Sequence, residues 1–289
     1  MQTEYYFYGY ITLYLSVMRL HCLQQSDKRP RIRSTMLLGL AALALSLSAC
    51  QPLFLSSSVS ASAVAISAGP LPVIALRQPR YADFAGSTVS NDARFIANWV
   101  LDSGDNRQMS FVIIDKKNTQ IYVFNPAGKL LGSAPALLGA AKGDDSVPGI
   151  GTRPLAQVLP EEKTTPAGRF LAEPGRNASG EDIVWVDYDA AVSMHRVRPA
   201  NMAERRLERL ASSTTADNRI SFGCVNVPPA FYENVLSPQF NARYGVVYVL
   251  PDVKRIGEVF ANAYDPAARW RAAMSVRRAD ASAKTRLRL

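Results

Sequence analysis

Cys224 is the side chain in this sequence best placed for covalent chemistry. It lies in Arg219-Ile220-Ser221-Phe222-Gly223-Cys224-Val225-Asn226-Val227-Pro228-Pro229, just after a glycine, between two β-forming runs and before a Pro-Pro breaker. A cysteine so placed sits on a turn, where glycine lets the backbone bend and approach a ligand closely. Successive backbone N–H groups around such a bend can converge on one point and serve as an oxyanion hole. A buried, inert cysteine is the alternative. A thiol is a useful nucleophile only as thiolate, so it needs a base or cation beside it. The chain has two histidines, His21 and His195, and three cysteines, Cys22, Cys50 and Cys224. The first of the histidines and the first two cysteines fall in a stretch read below as targeting sequence. The body then retains one imidazole and one thiol, and a His195–Cys224 pair is the economical reading. Cysteines so few and so spread out offer no disulfide framework and no cysteine-based zinc site. No phosphate-binding glycine loop is present, and no metal or cofactor is expected.

The elements around the pair must bring residues 29 positions apart together. His195 ends Asp182–Val197, a segment with two strand-like runs. Asn201–Ser212 (NMAERRLERLAS) reads as the clearest helix, with Met202, Leu207 and Leu210 on one side and its charges forming a solvated face. That helix can return the chain so that His195 and Cys224 meet. Upstream, a Ser90/Asn91 cap opens a short helix over Asn91–Leu101. Phe111–Asp115 and Gln120–Phe124 form a hairpin, and Lys129–Leu138 a third strand. A Gly/Pro-rich loop runs from Gly139 to Pro160, and Thr164–Phe170 is a tight turn into another strand. Phe231–Phe240 reads as a short helix and Tyr244–Leu250 as a closing strand. Many strands, few short helices and no βαβ alternation predict a mainly antiparallel β fold of α+β type.

The formal net charge of +9 is carried by the two ends, because acids and bases balance over residues 50–265. That balance argues against nucleic acid as a partner of the body. Near the start, Lys28–Arg33 is basic and Met36–Leu47 apolar, the layout of an export signal. Leu47-Ser48-Ala49-Cys50 follows and resembles the lipobox of bacterial lipoproteins, which implies a lipidated Cys50 and a membrane anchor. An ordinary signal cut later and a retained anchor are the alternatives. Gln51 is not a retention residue of the aspartate type, so the expectation is a periplasmic protein attached to the outer membrane. Met18 and Met36 offer later starts. The expected organisation is a targeting region over 1–50, a Ser/Ala/Pro-rich tether over 51–85, a catalytic domain over 86–253 and a basic tail over 254–289. Within the tail, Trp270 and Met274 can pin a short helix, and the last residues are expected to be a mobile end that either attracts anionic wall or lipid phosphates or stays solvated.

The strand-His…Ser-x-Gly-Cys-Val-Asn arrangement resembles the L,D-transpeptidase (YkuD-type) catalytic domain. Thr165-Pro166-Ala167-Gly168-Arg169-Phe170 is similar to that family's Thr-Pro-x-Gly-x-Phe turn, and FVIID…QIYVF…GKLL to its opening strands, so the resemblance covers about 110–251. It implies a β-sandwich-like domain and acyl transfer on peptidoglycan stem peptides. By resemblance, Cys224 attacks the third residue's carbonyl in a tetrapeptide and expels D-alanine; an amine on a second stem, or on a wall-linked protein, then takes the acyl group. His195 carries the protons. N–H groups near Phe222, Gly223 and Cys224 hold the oxyanion, Ser221 shapes the turn, and Asn226 matches an Asn that some members carry. The chain departs from many members at Arg196, where they have Gly, and at Phe222, where they have a second histidine. Arg196 or Arg198 either contacts a stem-peptide carboxylate or stays solvated. A hydrolase using the same site and a non-catalytic peptidoglycan-binding lipoprotein are the competing functions.

Overall fold

The runs FVIID and GVVYV are apolar at nearly every position, the pattern of strands covered on both faces. The structure is a computed structural model that describes residues 77–199, 201–241 and 243–286. In it these runs are β1 (Phe111–Asp115) and β10 (Gly245–Val249), and all their residues are buried. They pair in parallel, Phe111 opposite Val246. Beyond β1 lie β2 (Gln120–Phe124) and β3 (Leu130–Pro135), both antiparallel. Beyond β10 come β5 (Gly168–Arg176), β6 (Asp182–Asp187) and β7 (Val192–Arg196), again antiparallel, and then β9 (Val225–Val227), parallel to β7. A small parallel ladder joins β4 (Leu138–Gly139) to β8 (Arg219–Ser221).

The nine residues of β5 serve two partners in turn. Gly168–Ala172 pair with β10 and Glu173–Arg176 with β6, so the sheet changes direction along this one strand. At the far ends Leu137, just past β3, bridges Asn226 of β9. The eight-stranded sheet is therefore nearly closed on itself. The expected mainly β class is met, with two parallel pairings in a sheet otherwise antiparallel.

Period-2 alternation divides the apolar residues between two cores. Val112, Ile114, Val184, Met194, Val225, Val227 and Val247 share one with Phe231, Tyr232, Leu236 and Phe240. Those four belong to α3, a continuous helical stretch made of Pro229–Phe231, a π-turn over Tyr232–Leu236, and Ser237–Phe240. Phe111, Ile113, Tyr122, Phe124, Val246 and Tyr248 pack instead against Ile96, Trp99 and Val100 of α1 (Asn91–Ser103). Ser90 Oγ caps α1 by accepting from the Ala93 N–H at 3.1 Å.

Three expectations are corrected. The segment expected as one helix over Asn201–Ser212 is a 3-10 turn, Met202–Glu204, followed by α2 (Arg206–Ala211), broken at Arg205 with φ +50°. Leu210 is buried there, while Met202 is 80% and Leu207 51% exposed, because the break turns them off the expected stripe. After α4 (Ile256–Val259), the basic tail forms a continuous helix, α5 (Pro266–Arg286), longer than the short helix expected around Trp270 and Met274. Its Ala/Arg-rich sequence has high helix propensity, and Trp270 and Met274 are half-buried one turn apart. Finally, residues 77–85 lie on the body: Phe84 joins the second core, Asp83 bridges Lys129, and Arg77 pairs with Asp102. Residues 1–76, with the targeting segment, Cys50 and most of the tether, lie outside the described residues.

Candidate active site

The parallel register of β7 and β9 sets His195 directly opposite Asn226, with Met194 opposite Val225. Because Met194, Val225 and Val227 point into the core, alternation turns His195 and Asn226 to the other face. Cys224 immediately precedes β9, so the same register sets it beside Ser193, two residues from His195 on the same face of the sheet, within reach of the imidazole's hydrogen bond.

Two hydroxyls hold the turn that carries Cys224. Ser221 Oγ accepts from the Gly223 N–H at 3.1 Å and donates to the Cys224 carbonyl at 2.6 Å. Thr165 Oγ1, fully buried, donates to the Gly223 carbonyl at 2.8 Å and accepts from the Gly139 N–H at 2.9 Å. Gly223 has φ +138°, and a Cβ there would lie 2.8 Å from the Thr164 carbonyl oxygen, so only glycine fits. Beneath Thr165 sits a buried ammonium: Lys116 Nζ donates to the Thr165 carbonyl at 2.7 Å, to the Gly143 carbonyl at 2.5 Å and to Asp144 Oδ1 at 2.9 Å. Three acceptors need three N–H groups, so the side chain is charged although burial pulls its pKa down.

Cys224 is partly exposed, with Sγ 3.7 Å from Ser193 Oγ and 3.6 Å from the Ala191 carbonyl. Burial raises the thiol pKa. The hydrogen bond and charge of His195, with the Ser193 N–H and hydroxyl, outweigh that and hold it below the ordinary thiol value. His195 Nδ1 lies 2.8 Å from the Arg196 carbonyl, which can only accept, so Nδ1 carries the proton and Nε2 the lone pair. Nε2 is 3.2 Å from Asn226 Nδ2. A base with its lone pair free of a proton stands beside a thiol whose ionisation it favours.

The remaining expected site residues are placed differently. Gly223 spends its N–H on Ser221, so it is not an oxyanion donor in this geometry; Phe222 and Cys224 remain for that role. The Phe222 ring is covered by Lys163, whose Nζ is 4.1 Å from its centre, a cation–π contact beside the nucleophile. Asn226 is fully buried and touches the imidazole, so it is not a substrate contact. Arg196 is neither solvated nor free for a carboxylate. It donates to Glu233 of α3, to the Asp182 carbonyl and carboxylate of β6 at 3.0 Å, and lies over the Tyr232 ring. Arg198 is likewise paired, with Glu181. Both arginines tie the end of β7 to its neighbours. Sequence reasoning missed Thr165 as a hydrogen-bonding residue, although its motif was in view. It also missed Arg206, whose Nη1 donates to Asn226 Oδ1 at 2.8 Å. Its signal was hidden in a run of charges that reads as a solvated helix face.

Fold and site together define a mainly β domain bearing a thiol–imidazole pair. No family model and no curated protein matches the chain. Among solved structures, it is similar to L,D-transpeptidase 1 of Mycobacterium tuberculosis at 17% identity and TM-score 0.27, covering 49% of this chain and 61% of that one. It is similar to the helical cell shape determining protein Pgp2 of Campylobacter jejuni at 12% identity and TM-score 0.34, covering 57% and 58%. An Enterococcus faecium L,D-transpeptidase matches at 15% identity and TM-score 0.26, covering 49% and 50%. The chain thus spans about half to three fifths of these neighbours' lengths.

Proposed function

We propose that the protein is a cysteine acyltransferase of the L,D-transpeptidase type, acting on peptidoglycan stem peptides. The observation that carries this reading is the Cys224–His195 pair at β9 and β7, with Nδ1–H donated to the Arg196 carbonyl, so that Nε2 is the nitrogen without a proton. The Thr-Pro-x-Gly-x-Phe turn supports it, since Thr165 holds the nucleophile's own turn.

In the proposed reaction the Cys224 proton moves to Nε2 as Sγ attacks the carbonyl carbon of the stem peptide's third residue. Charge builds on the carbonyl oxygen, which the backbone N–H groups of Phe222 and Cys224 receive; such donors contribute about 2.7–4 kcal/mol each in comparable sites. Collapse breaks the C–N bond, and Nε2–H protonates the departing D-alanine amine. The thioester is then attacked by an acceptor amine, which returns a proton to Nε2. The new amide forms as the C–S bond breaks, and the imidazolium returns that proton to sulfur. Export and lipid attachment through Cys50 complete the proposal and bring the domain to its polymer.

Incubating the purified protein with tetrapeptide stems and analysing products by mass spectrometry tests the reading. Cross-linked dimers with loss of D-alanine are expected. Tripeptide without dimer would make it a hydrolase, and no thioester at Cys224 would overturn the enzyme assignment.

A further inference from the structure

Asn226 and Arg206 form a layer behind His195 that the reaction above does not use. An asparagine side chain has one acceptor end and one donor end. Arg206 can only donate, and its Nη1 lies 2.8 Å from Asn226 Oδ1. The amide's NH2 end is therefore the one turned to Nε2 of His195, at 3.2 Å. The arginine is itself held: Glu204 accepts from its Nε, its side chain is only 11% exposed, and Arg209 donates to the Glu204 carbonyl at 2.9 Å. The break at Arg205 is what permits this. A single unbroken helix would carry the segment's charges as a regular face, whereas the break gives Arg206 its own direction.

We propose that Arg206 is a positioning residue that fixes the Asn226 amide, so that its NH2 faces Nε2 and holds the His195 ring as the Nδ1–H tautomer. The inference deepens the thiol–imidazole reading and rests on it. Between the Arg196 carbonyl on one side and the Asn226 NH2 on the other, the neutral ring has one favoured tautomer and orientation. Without Arg206 the amide is free to turn, and its oxygen would then accept from Nε2–H and stabilise imidazolium. The charged and titratable groups placed near the ring include Cys224 from the turn before β9, Lys163 over Phe222 beside it, and Arg206 with Glu204 behind Asn226. From its own strand and the residues after it, Arg196 and Arg198 turn away to Asp182, Glu233 and Glu181.

The test is a 15N NMR titration of the imidazoles in the full chain, which has only His21 and His195 to resolve. Wild-type His195 should show a protonated Nδ1 and an unprotonated Nε2 in its neutral form. Arg206→Met should raise the midpoint of its titration by about one pH unit, the size of one hydrogen bond gained by the charged form. In an Asn226→Ala background, adding Arg206→Met should move the midpoint by less than about a third of that. An equal shift in both backgrounds would mean that the arginine acts through its charge alone, which overturns the proposal. If Arg206→Met does not fold, Glu204→Gln, which loosens the guanidinium, should give a smaller rise of the same sign, and no rise overturns it too. No peptidoglycan enters the measurement, so failure of the proposed substrate and failure of this clamp are separately visible.

Discussion

At the residue scale, the chemistry rests on a thiol lowered by an imidazole. Cys224→Ala should remove all covalent labelling at that position by an acylating β-lactam while leaving thermal unfolding unchanged, read by intact-protein mass spectrometry and calorimetry. His195→Ala should slow acylation by about 10²–10⁴-fold, the range of a lost general base. It should also move the pH midpoint of Cys224 alkylation upward. Burial raises the thiol pKa and His195 is the main influence pulling it down; without the imidazole only the Ser193 hydrogen bonds remain to oppose burial. Site-resolved iodoacetamide labelling between pH 5 and 10 reads that shift. An unmoved or lowered midpoint would show that the pair is not coupled.

At the scale of elements, the turn before β9 is built from outside by the turn before β5. Thr165→Val keeps shape but leaves the Gly223 carbonyl and the Gly139 N–H without their buried partner. That change should cost about 1–3 kcal/mol for each group left unpaired, and it should depress acylation because Cys224 is no longer held. Thr165→Ser, which keeps the hydroxyl, should restore most of both, as urea denaturation and labelling rates will show. Arg196 offers the opposite case. Because its donors go to Glu233 and Asp182, Arg196→Ala should cost about 1 kcal/mol of stability, the scale of partly exposed pairs and a ring contact. It should leave KM for stem peptide unchanged. A large KM increase at unaltered stability would return this residue to substrate recognition.

At the scale of the molecule, Lys116, Asp144, Arg219 and Asp252 form a buried charge network that joins the turn after β1, the Gly143–Asp144 loop, β8 and the segment after β10. Burial raises the Asp144 pKa, but the N–H groups of Lys254, Asp252 and Val253 and the Lys116 ammonium bring it down to about 2. The folded chain therefore binds this proton more weakly than the unfolded chain. Its stabilising contribution is present above about pH 4 and is lost as pH falls toward 2, amounting to roughly 2.5 kcal/mol. Lys116→Met removes the cation and leaves carboxylates buried, so it should destabilise the protein at pH 7 by about 3–5 kcal/mol. That loss should shrink at pH 3, where the carboxylates begin to take up protons. Calorimetry at the two pH values measures it, and equal losses would place the effect in packing rather than charge.

The sequence by itself determined the chemistry's components and the run of strands. Cys224 and His195 stand out because the body has no other thiol or imidazole, and period-2 apolar runs mark most strands regardless of partners. What only the tertiary structure decided is which polar groups face one another. The register of β7 on β9, set by strands far apart in sequence, puts Asn226 against His195 rather than against substrate. The same holds for Arg196, Arg198 and Arg206, whose local sequence is compatible equally with solvent, substrate or protein. A long side chain goes to whichever carboxylate or amide the fold brings within reach, and for these three the partners come from β6, α3, the residues before β6 and β9. Lys116 makes the point most sharply: a charged residue in a hairpin turn reads as exposed, yet three distant segments, at Gly143–Asp144, Thr165 and Asp252, close around it, and their acceptors make its burial possible.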